Sequence, residues 1–275
     1  MIKQITFLSF LLMIVLAPLN GQTIEKLDKK GYHASFADEN NILITNNNYK
    51  GLELYNLVSK EEVVLSTELK SGKDVYTENK QIHFTLKQGV VASDFEGNIN
   101  SLTVPKKSFS AKETALSELN TSKLAEETTI LFVKSVNKLT ALEIYFSNGS
   151  TKIISPLMEG ARYLKSEVSP DGKNILIKQY GGNGYVINAD GKILVDLGYM
   201  ERPKWSDTNH IVYQVTKDDG EIITDSDVYE INTGNKEVRN LTIEFNGIAM
   251  EPSPSPNGDK LIFNTPEGEL YIIKK

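Results

Sequence analysis

Apolar residues along this chain fall in short runs separated by polar turns. Leu52-Glu53-Leu54-Tyr55, Leu142-Glu143-Ile144-Tyr145-Phe146 and Val228-Tyr229-Glu230-Ile231 carry apolar residues at alternate positions, while Ile42-Leu43-Ile44 and Ile175-Leu176-Ile177 are unbroken. Both patterns read as β-strands, because successive strand side chains point to opposite faces.

The turns repeat as well. Val168-Ser169-Pro170-Asp171-Gly172-Lys173, Trp205-Ser206-Asp207-Thr208-Asn209-His210 and Pro254-Ser255-Pro256-Asn257-Gly258-Asp259 each stand directly before an apolar strand. The second and third copies start roughly 40 to 50 residues after the one before, and that period, filled with strands, marks a β-propeller. Pro presets φ for a type I turn, Asp or Asn bonds back to the backbone, and Gly takes the left-handed position.

With the turns as a ruler, the chain divides into repeats. The first runs from about His33 to Leu65, with Phe36-Ala37-Asp38-Glu39-Asn40-Asn41 in the turn slot; the second from about Asp74 to Leu102; the third from about Glu126 to Ile154. Between the last two, Pro105 to Ala125 is a polar insertion in which Ser110-Ala111-Lys112-Glu113 resembles a capping box, so it is a short helix or a loop. The fourth and fifth repeats are clearer, and the fifth ends in a Asn232-Thr233-Gly234-Asn235 hairpin and Glu237-Val238-Arg239-Asn240-Leu241. The last repeat stops after Leu270-Tyr271-Ile272-Ile273, one strand short. Thr23-Ile24-Glu25-Lys26-Leu27 matches the outer strand of the fifth repeat and would supply the missing one. The expected architecture is all-β: a six-bladed propeller of four-stranded antiparallel blades, closed by the N-terminal strand, occupying residues 22–275 as one domain.

Residues 1–21 read as a signal peptide, with Lys3 before an apolar stretch from Ile5 to Ala17. That stretch is about 13 residues, shorter than the roughly 18 to 20 a bilayer span needs. A periplasmic or secreted protein with no stable membrane insertion after cleavage is expected. The chain has no cysteine, hence no disulfide and no lipoprotein anchor, so core burial must supply its stability. Its net charge of −6 argues against nucleic acid as a partner.

The Ser-Pro-Asp-Gly-Lys and Ser-Pro-Asn-Gly-Asp-Lys turns resemble the WD-like repeats of TolB-type six-bladed propellers, a repeat also found in the propellers of prolyl-oligopeptidase-type peptidases. The resemblance covers nearly all of residues 22–275 and is strongest from Tyr163 onward. It implies an envelope binding or scaffold role. Asp171 belongs to the turn itself and reads as a turn-former.

Catalytic motifs are absent from the sequence. There is no Gly-x-Ser-x-Gly elbow, and the arginines (Arg162, Arg202, Arg239) are too few for a carboxylate-binding cluster of the sialidase kind. The three histidines, His33, His83 and His210, fall in different repeats, which leaves no zinc set. Asp218, Asp219, Glu221, Asp225 and Asp227 lack hand-type calcium spacing and read as a solvated hairpin loop, with calcium as the alternative. No cofactor is expected.

Position is the better guide. Counted from the turns, His33, Lys165, Arg202 and Glu251 occupy one equivalent place, where the inner strand begins at a mouth of the central channel. Tyr32, Tyr163, Tyr199, Glu201 and Met250 lie beside them, and the loop Tyr180-Gly181-Gly182-Asn183-Gly184 should reach the same face. Charged groups converging from several blades suit a peptide or small polar ligand. The sequence therefore predicts a monomeric, non-enzymatic, exported module that binds an envelope or secreted protein or peptide. The alternative is a hydrolase or lyase acting on glycans or peptides at the mouth, which a close carboxylate pair or a His–carboxylate pair would favour.

Overall fold

The repeated turns fold through hydrogen bonds that can be followed atom by atom in the computed structural model, which describes residues 22–103 and 128–275. Ser169 Oγ donates to Asp171 Oδ1 at 2.6 Å and accepts from Asn174 N–H at 2.9 Å. Ser255 does the same with Asn257 and Lys260, at 2.8 and 3.1 Å. Asp38 and Asp207 hold their own turns by accepting two backbone N–H groups each. Asp171 is thus occupied by its turn. Gly172 and Gly258 have φ of 72° and 78°, where a side chain is strained. They also touch the preceding blade: a Cβ on Gly258 would lie 2.8 Å from the Ser206 carbonyl, and one on Gly172 3.0 Å from Thr129 Cβ.

Each turn joins the first and second strands of a blade. The first blade comprises β2 (Tyr32–Phe36), β3 (Asn41–Thr45), β4 (Leu52–Asn56) and β5 (Glu62–Ser66). The second comprises β6 (Tyr76–Glu78), β7 (Gln81–Leu86), β8 (Gly89–Ser93) and β9 (Ile99–Thr103). The third has β10 (Ile130–Val136), β11 (Ala141–Phe146) and β12 (Thr151–Ile154). The fourth comprises β13 (Tyr163–Val168), β14 (Asn174–Gln179), β15 (Asn183–Asn188) and β16 (Ile193–Tyr199), and the fifth β17 (Glu201–Trp205), β18 (His210–Asp218), β19 (Ile223–Asn232) and β20 (Val238–Asn240). The sixth has β21 (Met250–Pro254), β22 (Lys260–Asn264), β23 (Glu269–Lys274) and β1 (Thr23–Lys30). All pairings are antiparallel, in six separate sheets. The architecture is a six-bladed β-propeller.

The third blade has three strands among the described residues, where four were expected. Its β10 packs against β13 as β22 packs against β2 and β18 against β21, so β10 is a second strand. Residues 104–127, with the helix or loop expected at Pro105 to Ala125, lie outside the described residues, as does the signal peptide expected at residues 1–21.

Hydrophobic side chains gather between blades, because each sheet presents both faces to neighbours. Ile175, Ile177 and Ile187 of the fourth blade pack with Ile130, Leu142 and Ile144 of the third. Leu176, Val186 and Met200 face Trp205, Ile211 and Tyr213. The seam of the ring joins Ile42, Ile44 and Tyr55 to Ile262, Leu270, Ile272 and, from the N-terminal strand, Leu27. That strand pairs with β23 in the register Thr23↔Lys274 to Lys26↔Tyr271, as the sequence predicts.

Leu27 is 6% exposed, and truncating such a leucine costs about 2–5 kcal/mol. Leu27→Ala is expected to lower the urea midpoint accordingly in a single cooperative transition. A loss below about 0.5 kcal/mol, the size of an ordinary surface substitution, would mean that β1 is not part of the cooperative ring.

Candidate functional site at the channel mouth

The innermost strands of the first, fifth and sixth blades carry an irregularity in common. Tyr32 pairs with Thr45 and Ser35 with Leu43, so three steps along β2 match two along β3. Glu201 to Lys204 against Gln214 to Val212, and Met250 to Ser253 against Asn264 to Ile262, repeat that mismatch. Each is a β-bulge, which bends a strand and re-aims the side chains at the extra residue. The residues turned left-handed there are His33, Arg202 and Glu251, with φ of 50°, 50° and 56°. None is glycine, and each costs about 1 kcal/mol in that conformation.

Two blades vary the theme. Asp74, φ 56°, lies two residues before Tyr76, just as His33, Arg202 and Glu251 lie two before Ser35, Lys204 and Ser253. It is exposed, and its strand β6 pairs with β7 without a bulge. In the fourth blade the irregularity comes earlier, between Tyr163 and Lys165, and Lys165 pairs regularly with Lys178.

The bulges bring charges from different blades together. Arg202 Nη2 lies 2.9 Å from Glu251 Oε1, and His33 Nδ1 lies 3.6 Å from Glu251 Oε2. Burial alone would push the Glu251 carboxyl up, but His33, Arg202 and Lys204 together hold it below the usual carboxylate range. Tyr49 stacks on His33 with ring centroids 4.0 Å apart, and the Asn47 carbonyl lies 3.4 Å from His33 Nε2. Both ring nitrogens of His33 therefore face acceptors. Lys165 Nζ pairs with Glu167 Oε2 at 2.9 Å and donates to the Pro203 carbonyl, tying the fourth blade to the fifth.

Lys204 stands among these groups on β17. Burial, reinforced by the cationic Lys165 and Arg202 and only partly offset by Glu167 and Glu251, lowers its titration from an ordinary 10.5 to about 8.

Beneath the mouth, the second strands carry buried polar residues at one equivalent position: Thr45, Lys178, Gln214 and Asn264. Each serves nearby backbone that no ladder reaches. Thr45 Oγ1 donates to the Gly51 carbonyl at 2.7 Å, Lys178 Nζ to the carbonyls of Gln179 and Gly182, and Asn264 Nδ2 to the Thr265 carbonyl at 3.1 Å. Gln214 Oε1 accepts the Glu251 N–H at 2.6 Å, fixing the bulge from below.

The remaining expected residues divide. Tyr32 donates its hydroxyl to the Pro266 carbonyl at 3.1 Å, and Met250 starts the bulge of the sixth blade. Tyr199, 55% exposed, donates to Glu201 Oε1 at 2.6 Å, while Thr216 donates to Glu201 Oε2 at 2.7 Å. Glu201 is thereby engaged away from Glu251. The Tyr180–Gly184 hairpin lies at the end of β14 beside this group, with Arg162 over the Tyr180 ring and Lys178 over the Tyr199 ring. Tyr163 corrects an expectation. It is 1% exposed, packed in the core between the third and fourth blades, and its hydroxyl accepts from Leu157 N–H at 3.1 Å. The early bulge of β13 turns it inward, so it is not at the mouth.

Elsewhere, His83 stacks on Tyr76 at 4.5 Å within the second blade, and burial lowers its titration. On the opposite face, His210 is fixed by Asp207 at 2.9 Å and by Asn232 at 3.0 Å. In the acidic hairpin, Asp225 pairs with Lys217 at 2.7 Å, Asp219 accepts two backbone N–H groups of its own turn, and Asp227 accepts from Thr242 at 2.7 Å. Among the described residues no three His, Asp or Glu side chains are grouped to hold a metal.

No family model matches this chain, and no curated protein matches it. Solved structures do. A streptogramin B lyase superposes with a TM-score of 0.57 at 11% identity, over 92% of this chain and 97% of that one. A catalytically inactive variant of virginiamycin B lyase from Staphylococcus aureus, solved with quinupristin, gives 0.50 at 12% identity over 92% and 99%. Likeness at such identities establishes a shared fold.

The depressed Glu251 carboxyl has a consequence for stability. Its contribution is present above the ordinary value of 4.5 and is lost as pH falls through the folded value. Denaturation between pH 3 and 6 is expected to be less pH-dependent in Glu251→Gln than in the wild type. Superimposable profiles would show that Glu251 is not held by Arg202 and His33.

Proposed function

We propose that this protein is a non-enzymatic binding module, an exported propeller of the cell envelope that captures a protein or peptide at the channel mouth. The observation that carries this reading is the repeated left-handed bulge: His33, Arg202 and Glu251 hold strained backbone at equivalent points of three blades, and their side chains are charged or titratable. Strain kept at a repeated position is compensated elsewhere and is commonly tied to recognition. The envelope setting rests on the resemblance to TolB-type repeats and on the signal-like residues 1–21. Tyr32, Tyr49 and Tyr199 provide amphipathic surface of the kind enriched at interfaces.

A second reading keeps its place because of one distance. The 3.6 Å approach of His33 to Glu251 is a His–carboxylate pair, and such a pair can orient an imidazole for general base chemistry. A hydrolase or lyase acting on glycans or peptides would use it. Against it, the partner carboxylate is shared with Arg202, and Glu201 is engaged by Tyr199 and Thr216.

Arg202→Gly separates folding from capture. Glycine relieves the left-handed strain, so stability is expected to stay within about 1 kcal/mol of the wild type or to rise, while partner capture from envelope extract falls at least tenfold. Undiminished capture by Arg202→Gly and by Glu251→Gln would sink the binding proposal. Turnover of a glycan or peptide library by the purified wild type, abolished in His33→Ala, would replace it with the enzyme reading.

A further inference from the structure

On the face opposite the mouth, a small cleft opens between the fifth and sixth blades. His210, Glu230, Asn232, Glu237 and Arg239 line it, and its volume is about 130 Å³. Strand register puts these side chains on one face of the fifth blade: His210 pairs with Asn232, Val212 with Glu230, and Glu230 with Arg239. That face turns to the sixth blade. Val212 packs there against Leu261 and Phe263, and Lys275, just past β23, reaches across to Glu230.

The floor of the cleft is a carboxylate held in one orientation. Glu230 is 5% exposed; its Oε1 accepts from Lys275 Nζ, which also donates to Ser206 Oγ at 2.7 Å. Its Oε2 accepts no hydrogen bond among the described residues. Arg239 Nη1 stands 4.0 Å from it, beyond hydrogen-bond reach. Asn232 fixes a further group. Its Oδ1 accepts from the N–H groups of Gly234 and Asn235 at 2.8 and 3.2 Å, so Nδ2 must face His210 Nε2, at 3.0 Å. Nε2 is then the acceptor, and the ring proton sits on Nδ1 toward Asp207. This is the arrangement of a neutral imidazole.

We infer that this cleft is a second binding site, for a neutral carboxamide whose N–H donates to Glu230 Oε2 and whose carbonyl accepts from Arg239. The inference is independent of the role proposed for the mouth. Glu230 and Glu237 oppose Lys275 and Arg239, so the charges sum to zero. An ammonium beside Glu230 would also meet Lys275 and Arg239, and a carboxylate at Arg239 would meet Glu230 and Glu237. Either ion brings like charges together, which is costly. An amide instead offers a donor and an acceptor side by side, matching a carboxylate oxygen and a guanidinium 4.0 Å apart.

Size agrees with a single functional group. The cleft is smaller than the roughly 300–1,000 Å³ of sites that enclose a whole drug-sized ligand. A sugar is the other neutral ligand rich in donors and acceptors, but no Tyr, Phe or Trp ring lines the cleft to stack on it. Two sources share the amide chemistry, an Asn or Gln side chain of a peptide and a free small amide.

The test uses the full chain and three planar probes of one shape: acetamide, acetate and acetamidinium, which are neutral, anionic and cationic in turn. Binding is followed at pH 7 by the side-chain amide resonances of Asn232 and the backbone amides of residues 230–232. Acetamide is expected to bind at least tenfold more tightly than either ion. Arg239→Met keeps the aliphatic stem and leaves the Glu230–Lys275 pair in place. It should melt with the wild type and lose at least tenfold in acetamide affinity. Arg239→Glu makes the cleft acidic and should reverse the preference, so that acetamidinium binds ahead of acetamide. N-acetyl-Ala-Gln-Ala-amide bound more tightly than acetamide identifies a peptide side chain, and equal affinities identify a free amide. The inference is overturned if acetate or acetamidinium binds the wild type as tightly as acetamide does, or if folded Arg239→Met keeps the acetamide affinity. It is also overturned if acetamide shifts none of these resonances at hundreds of millimolar, or if glucose shifts them and acetamide does not. The comparison of the three probes on the wild type decides the matter even if both variants fail to fold.

Discussion

Closure of the ring is the constraint on which the rest depends. Each blade buries its faces only against its neighbours, so an open ring would expose two apolar faces and two strand edges at once. The seam is sealed by β1, which lies against β23 and is anchored there by Leu27 in the core and by the Glu25–Lys274 ion pair. Residues almost at opposite ends of the described chain are thereby held in one ladder. Because the blades converge at their first strands, closure also brings β2, β17 and β21 together, and with them His33, Arg202 and Glu251.

At that convergence the structure departs from regularity in a repeated way. An ideal inner strand would pair throughout and keep its charged residues apart on their own blades. The bulges instead insert one residue per strand, turn it left-handed and aim it across the blade boundary. They are supported from below by buried polar residues, of which Gln214 beneath the Glu251 amide is the most direct. Lys165 uses a different device, reaching the Pro203 carbonyl of the next blade from a regularly paired strand. The common result is a mouth whose electrostatics belong to no single blade.

The blade plan could be read in the sequence because its turns act locally. Ser169-Pro170-Asp171-Gly172 and Ser255-Pro256-Asn257-Gly258 bond within five residues, and counting back from them locates His33, Lys165, Arg202 and Glu251. Asp74 escaped that count because the turn of its blade, Glu78-Asn79-Lys80, lacks the marker residues. Lys204 and Glu167 escaped for another reason: their character comes from neighbours on other blades, which no local pattern records. Thr45, Lys178, Gln214 and Asn264 resemble ordinary strand residues until the carbonyls or amides they serve are folded over them. Tyr163 was misplaced because the early bulge of β13 reverses its facing.

The mouth stands on one arrangement: ring closure holds Glu251 between Arg202 and His33 across two blade boundaries. NMR titration of the Glu251 carboxyl in the free protein, assigned with Glu251→Gln, measures this directly. Titration below the ordinary glutamate value of 4.5 is expected. Titration above 4.5 would contradict it, by showing a buried carboxyl that Arg202 and His33 do not hold.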